Sequence, residues 1–289
     1  MNINISDIDN YCLICNHEIK KIFNTDVLNK YKVDYFQCLN CNFIQTEKPY
    51  WLDEAYSDAI TKLDIGIIYR NINFSNKITQ FFKNNLFSSD GIYLDYGGGY
   101  GIFVRMMRDK GFNFYRQDVF CNNLFAKHFD ITDLSNDTKF NLLTAFEVFE
   151  HLESPLDEIH NMLLLADTII FSTLLLPNHN VKPDNWWYFI PETGQHISLF
   201  SLKSLEFITQ KLNLYLYSNG QDLHIFSKNK LNYNPFEKVK KSFFTRIKHK
   251  LLKSDKFNLL NSKKHINSTS LLSSDFDFVK NKLNNKLIT

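Results

Sequence analysis

Four of the five cysteines come in two pairs, Cys12-x-x-Cys15 and Cys38-x-x-Cys41, with 22 residues between the pairs. Thiolates at this spacing can surround a tetrahedral Zn²⁺, each pair forming a knuckle and the chain between them a hairpin. Four thiolates leave no position open for a substrate, so such a zinc is structural. It would supply much of the folding energy of a ribbon of roughly 45 residues. The alternative, a disulfide or redox pair, is disfavoured in a reducing compartment. Cys121 is left over and reads as a small, partly buried residue.

A second group of residues lies in Ile92-Tyr93-Leu94-Asp95-Tyr96-Gly97-Gly98-Gly99-Tyr100-Gly101. A short apolar strand ends in an acid, glycines turn the chain, and an apolar-periodic helix follows. Such a turn lets backbone approach a ligand closely and presents helix N-terminal N–H groups to it, the geometry of a nucleotide-like cofactor site. Asp118 ends the next strand, 19 residues beyond Gly99, where a carboxylate can accept from both hydroxyls of a ribose. Asp130 is a candidate contact for the base, and Phe146 a candidate wall of the cleft.

The third group is Glu147-x-x-Glu150-His151, directly after the apolar run Leu142–Ala145, joined by a distal His196. Offsets of three and four place the first three side chains on one face of a helical turn. Two carboxylates and two imidazoles make a mixed O/N set for a divalent cation such as Mg²⁺, with room for substrate oxygens. The alternative has Glu147 touching cofactor or substrate and the Glu-His pair capping a helix, with His151 or His196 as general base. His196 closes an aromatic stretch, Trp186-Trp187-Tyr188-Phe189, that reads equally as a lid excluding water or as a sugar-stacking surface.

These residues must be held by regular elements. Residues 51–88 read as helical, with Trp51, Ala55, Tyr56 and Ile60 at helical spacing, then Ile78, Phe81 and Phe82, packing over the cofactor cleft. From Gly91 the pattern alternates. Strands are expected at 92–96, 113–117, 142–147, 168–174, 213–218 and 222–227, with a short one near 126–129. Helices are expected at 101–110, 155–165 and 202–211. Alternation of this kind predicts an α/β, doubly wound, Rossmann-like sheet of seven strands. The turn Ser218-Asn219-Gly220-Gln221 makes its last pair antiparallel. The expected division is 1–50 zinc ribbon, 51–90 helical cap, 91–229 core and 230–289 tail.

Net charge is only +2, but it is unevenly spread. Residues 1–229 carry 19 Lys+Arg against 27 Asp+Glu, and residues 230–289 carry 14 against 4. In the tail, Phe236, Val239, Phe243, Phe244, Ile247 and Leu251 recur at helical spacing among lysines and Arg246. This basic amphipathic helix either packs on the core or touches an anionic membrane peripherally. An acidic core argues against a nucleic-acid partner. The start of the chain has neither the basic nor the apolar region of a signal peptide, and no apolar run approaches the ~20 residues of a span, so the expected location is cytoplasmic. Oligomeric state leaves no signature.

The pattern Asp95-x-Gly97-x-Gly99-x-Gly101 resembles motif I of class I S-adenosylmethionine-dependent methyltransferases, with a dinucleotide site as the alternative. The resemblance implies that Asp95 positions the amino-acid end of the cofactor, that Gly97, Gly98, Gly99 and Gly101 cradle it, and that Asp118 holds its ribose. Glu147, Glu150, His151 and His196 resemble the metal-binding E-x-x-E-H plus distal His of ubiquinone-pathway and Hen-type O-methyltransferases. A four-cysteine ribbon before such a core resembles deoxysugar C-methyltransferases, without their large C-terminal domain, and methyltransferases that accompany bacterial surface-polysaccharide genes. Together these imply methyl transfer to a small-molecule or glycan acceptor, first to oxygen of a sugar, nucleotide-sugar or polysaccharide. C-methylation of a nucleotide-linked deoxysugar and rRNA methylation are the alternatives.

Overall fold

A computed structural model describes residues 10–57, 60–177, 181–237 and 269–286. The chain begins with a hairpin, β1 (Ile19–Val27) and β2 (Tyr31–Cys38), followed by a short β3 (Ile44–Thr46). A single helical turn, α1 (Leu52–Ala55), precedes the long α2 (Ile67–Lys83). The helical spacing of Trp51, Ala55 and Tyr56 thus covers one turn, not a helix. In α2, Phe74, Ile78, Phe81 and Phe82 are buried at helical spacing.

The core continues with β4 (Ile92–Tyr96), α3 (Ile102–Asp109), β5 (Asn113–Gln117), β6 (Leu142–Ala145), α4 (Pro155–Leu165) and β7 (Thr168–Ser172). After a long loop come β8 (Ser198–Leu199), α5 (Leu202–Leu212), β9 (Tyr215–Ser218) and β10 (Leu223–Ser227). Pro155 at the first turn of α4 and the reciprocal Ser201–Ser204 capping box of α5 set both helix starts. β9 starts two residues later than its apolar pattern predicts because Asn213 closes α5 in the left-handed conformation.

Six strands form the central sheet in the order β5-β4-β6-β7-β10-β9. β5, β4, β6 and β7 run parallel, and β10 is antiparallel to both β7 and β9, as the turn chemistry at 218–221 predicts. The expected seventh strand is absent among the described residues. Where it would pair with β5 there is one isolated parallel bridge, Arg116–Asp130. His128 is left-handed and a 3-10 turn starts at Ile131, so the chain leaves the sheet edge on both sides of that bridge.

The sheet carries a core on each face. Ile159, Met162, Leu205 and Ile208 of α4 and α5 pack with Leu94, Leu143 and Phe171 on one side, a cluster that runs on into the cysteine knuckles through Phe43 and Phe200. Phe74, Ile78, Phe103, Val104 and Met107 of α2 and α3 cover the other with Phe114, Ile170 and Ile225. A last helix, α6 (Leu272–Lys286), docks against α3 through Asp275. The predicted amphipathic segment from Val239 to Leu251 lies outside the described residues. No described helix is long and apolar enough to cross a membrane.

Candidate active site

β4 delivers Asp95 to the carboxyl edge of the sheet. It is 3% exposed and accepts from Thr144 Oγ1 at 2.7 Å on neighbouring β6. Burial pushes its carboxyl up to about 7, the loss of hydration outweighing that bond. The glycines after it are sterically required. A Cβ on Gly98 would meet Arg116 Cγ at 2.7 Å and an Asp95 carboxylate oxygen at 2.9 Å, while Gly97 sits at φ +67° with Val148 2.6 Å from where its Cβ would be.

Asp118 is held by three backbone amides: Gly99 at 2.9 Å, Phe120 at 2.8 Å and Cys121 at 2.7 Å. This ties the β5 edge to the glycine turn. Arg116 completes the tie from below, donating to the carbonyls of Gly99 and Cys121 and to Asp130 Oδ1 at 2.7 Å. Asp130 therefore braces Arg116 and does not line the cavity where a base contact was expected. Arg116 escaped the sequence reading. Its signal was an arginine at the buried parity of an alternating strand, beside Phe114.

The glycine turn opens into one cavity of about 800 Å³ that extends to His151 and His196. That is at the upper end of the ~300–1,000 Å³ common for ligand pockets, room for a nucleoside cofactor and a second molecule. Phe146 lines it, stacked on Phe74 of α2 at 4.2 Å and edge-on to Phe103 at 5.1 Å. Tyr56 and Phe120, stacked on each other at 4.6 Å, also line it.

β6 ends at Ala145 because Glu147 takes a left-handed backbone, φ +53°, and turns the chain into a 3-10 turn, Phe149–His151. Glu150, His151 and His196 each bring one ligand atom within 4.8 Å of the others. Glu150 is fully buried, and neither of its oxygens has a hydrogen bond. The hydroxyls of Thr173 and Tyr188 face it without closing one. Burial and the charge of Glu147 push its carboxyl up to about 8.

The imidazoles are oriented by backbone: Nδ1 of His151 lies 3.1 Å from the Gln195 carbonyl and Nδ1 of His196 lies 2.6 Å from that of Tyr188. A carbonyl only accepts, so each ring carries its proton on Nδ1 and presents the Nε2 lone pair. Burial lowers the two to about 3 and about 4, so both are neutral. An orphaned buried carboxylate beside two lone pairs fits a divalent cation. Glu147, the fourth member of the expected set, is outside that cluster. Its carboxylate is engaged by Ser172 Oγ at 2.6 Å and by Arg70 Nε at 3.4 Å, and Arg70 also pairs with Asp64.

The aromatic stretch divides. Trp186, Tyr188 and Phe189 are buried against Trp51, Val27 and Tyr35 and form a third, smaller core, whereas Trp187 is exposed at the cavity. Two of the four rings, Trp187 and Tyr188, line the cavity, and Trp187 is the exposed one. The four cysteines converge at the end of the α4–α5 core cluster, with sulfurs as close as 3.5 Å (Cys12–Cys41) and 3.4 Å (Cys15–Cys38). Amides of Ile14, Asn40 and Cys41 point at the Cys12 and Cys38 sulfurs at 3.3–3.4 Å, as in metal knuckles. A tetrahedral Zn²⁺ with Zn–S near 2.3 Å needs sulfurs about 3.8 Å apart, so the cluster is compatible with zinc.

A family model described as a methyltransferase domain matches residues 69–219, a little over half of the chain. The protein is a member of the methyltransferase-domain family. It is an S-adenosylmethionine-dependent methyltransferase. Solved structures show a partial likeness to the methyltransferase. The plantazolicin methyltransferase BpumL, in complex with a monoazolic desmethylPZN analog and SAH, has 13% identity and a TM-score of 0.43 over 62% of this chain and 94% of its own. CalO1, a methyltransferase in calicheamicin biosynthesis, has 13% identity and a TM-score of 0.38 over 61% and 60%. The magnesium protoporphyrin IX methyltransferase of Synechocystis PCC 6803 has 14% identity and a TM-score of 0.38 over 61% and 90%. No curated protein matches the sequence.

Proposed function

We propose that this methyltransferase methylates a hydroxyl oxygen of a sugar or glycan whose reacting part is uncharged. The observation that carries the reading is the Glu150–His151–His196 cluster, whose two imidazoles line the same cavity as the glycine turn while Glu150 lies buried behind them. S-adenosylmethionine supplies an electrophilic methyl on its sulfonium. Asp95 takes the ammonium of its amino-acid end, Asp118 its ribose hydroxyls, and the backbone of Gly97–Gly101 lies against it, with Phe146 as a wall. A divalent cation, Mg²⁺ or Mn²⁺, supplies Lewis acidity toward the acceptor oxygen. Glu150, His151 and His196 would hold it.

Glu147 then accepts the acceptor's proton as the new C–O bond forms and the C–S bond breaks, leaving a neutral thioether. Ser172 and Arg70 hold its carboxylate in place for that transfer. The cavity is lined by Asp64, Asp95, Asp118, Glu147, Glu153, Asp157 and Glu158 against one guanidinium, that of Arg70, which is already paired. Such a wall repels phosphodiesters and disfavours rRNA. It equally disfavours burying the diphosphate of a nucleotide sugar. The ribbon-plus-core resemblance to surface-polysaccharide methyltransferases supports a glycan acceptor, handled in a reducing compartment where the four thiols stay available to zinc.

The test is transfer of labelled methyl into a panel of neutral glycans, nucleotide sugars and rRNA, with the product bond assigned by NMR. Incorporation into glycan oxygen supports the reading. Labelling of rRNA or of a carbon atom overturns it.

A further inference from the structure

His196 stands two residues before a strand that belongs to the cysteine module. β8 does not join the central sheet. It is the fourth strand of the sheet β1-β2-β3-β8, with Gln45 opposite Ser198 and Ile44 opposite Leu199. Thr46 N donates to the Ile197 carbonyl at 3.2 Å. A two-residue strand has no stability of its own and takes its place from its partner.

Other bonds join the same stretch to the module. Leu28 N donates to the Pro191 carbonyl at 2.9 Å, Trp51 Nε1 to that of Gly194 at 2.8 Å, and Ser201 Oγ to that of Cys41 at 2.6 Å. The opposite side of the stretch meets the acid-histidine turn, Ile197 N donating to the Glu150 carbonyl at 2.9 Å and Ser198 Oγ to that of Leu152 at 2.6 Å. Segment 191–201 is thus clamped between the cysteine module and the turn that carries Glu150 and His151.

Gln45 links clamp to knuckle. It is 6% exposed. Its side-chain oxygen accepts from Leu13 N at 2.9 Å and its amide donates to the Tyr11 carbonyl at 3.3 Å, bracketing Cys12, while its backbone lies in the ladder with β8. A short ribbon with little apolar core keeps such geometry only while its thiolates are gathered.

We infer that the cysteine module is a positioning device for His196: metal at Cys12, Cys15, Cys38 and Cys41 sets β3, β3 sets β8, and β8 holds His196 over Glu150 and His151, with Gln45 as the positioning residue. The inference rests on the reading of His196 as part of the acceptor site, but the clamp can be measured without any methyl transfer.

The experiment is hydrogen exchange on the full chain before and after zinc removal, with the melting shift caused by S-adenosylmethionine as a readout of the core. Expected is loss of protection in peptides spanning 191–201, with protection of 92–96 and 142–145 and the cofactor shift retained. Unchanged protection at 191–201 overturns the inference. So does equal loss at 92–96 and 142–145, which would make zinc a support of the whole fold. Gln45→Leu, which keeps all four thiols, is the second arm. Expected are unchanged zinc content and cofactor shift, faster exchange at 191–201, and Mn²⁺ affinity at the Glu150 cluster weaker by about ten-fold or more. Partial recovery is expected in Gln45→Glu, which keeps the acceptor for Leu13 N–H. Wild-type exchange and Mn²⁺ affinity in Gln45→Leu overturn the inference. Wild-type protein that binds no Mn²⁺ counts against the proposed function, while the exchange comparison still decides the clamp.

Discussion

Ser172 Oγ accepts the amide proton of Glu147 at 2.7 Å and donates its own to Glu147 Oε1 at 2.6 Å. This one hydroxyl, 1% exposed on β7, holds both the left-handed backbone of Glu147 and the direction of its carboxylate. A non-glycine residue held at positive φ persists only where its surroundings determine it, and such residues concentrate at functional sites.

Glu147→Gln keeps the shape and removes the proton acceptor. The expected loss in turnover is about 10²–10⁴-fold. Ser172→Ala should lower turnover less and destabilise the fold by about 1–3 kcal/mol, because it leaves the Glu147 amide and carboxylate short of a partner. Initial rates and urea unfolding read the two effects, with the melting shift from S-adenosylmethionine unchanged in both variants. Full turnover in Glu147→Gln would remove the base from the mechanism.

Glu150 gives the opposite sign for stability. Burial and the charge of Glu147 raise its carboxyl to about 8, so above that pH the cation-free protein carries a costly buried charge. Glu150→Gln should therefore melt higher than wild type in EDTA above about pH 8. Mn²⁺ at a hundred times its dissociation constant should stabilise wild type by about 2.7 kcal/mol and the variant not at all. Calorimetry with and without Mn²⁺ measures both. An equal Mn²⁺ response in the two proteins excludes Glu150 as a ligand.

What the sequence shows about this site is what depends on local spacing. Asp95, the glycine run and Asp118 fall on consecutive strand ends, and Glu150 and His151 share one turn, so their placement follows from periodicity. The membership of Glu147 in the same cluster did not follow, because a left-handed residue breaks the helical offset that would have aligned it. The β3–β8 pairing joins residues over 150 positions apart through two- and three-residue strands, too short for any alternation to mark. Arg116 and the Arg108–Asp275 pair were hidden for a related reason: a buried arginine reads as a surface charge until its partners, one of them 167 residues away, are known.

The cofactor pocket should be pH-sensitive through Asp95. Its folded pKa of about 7 is above the ordinary 3.8, so between those values the empty folded chain holds a proton that the unfolded chain has released. Stability of the empty protein should fall as pH rises through that window and level off above about 7. A bound ammonium favours the carboxylate, so S-adenosylmethionine affinity should rise over the same window, by up to about ten-fold per unit. Titration calorimetry from pH 5.5 to 8.5 checks this. Asp95→Asn should weaken binding and flatten both profiles, and an unaltered slope in that variant would assign the effect to another group.

Asp275 makes the C-terminal helix part of the fold. Its carboxylate takes Arg108 through Nε and Nη2, both at 2.8 Å, and Arg105 at 2.9 Å, with Asp275 and Arg108 both 5% exposed. The Arg108 guanidinium also lies 3.7 Å over the ring of Phe129, beside the edge of β5 where no seventh strand forms among the described residues. Removing one partner of a buried pair leaves the other charge uncompensated, so Asp275→Ala should cost about 3–5 kcal/mol. Removing everything after residue 237 should cost at least as much, although the segment begins as a basic tail. Urea unfolding of both variants measures this. A stability loss below about 1 kcal/mol in Asp275→Ala would mean that α6 only rests on α3 and that Arg108 is held by Asn113 and the Phe114 carbonyl alone.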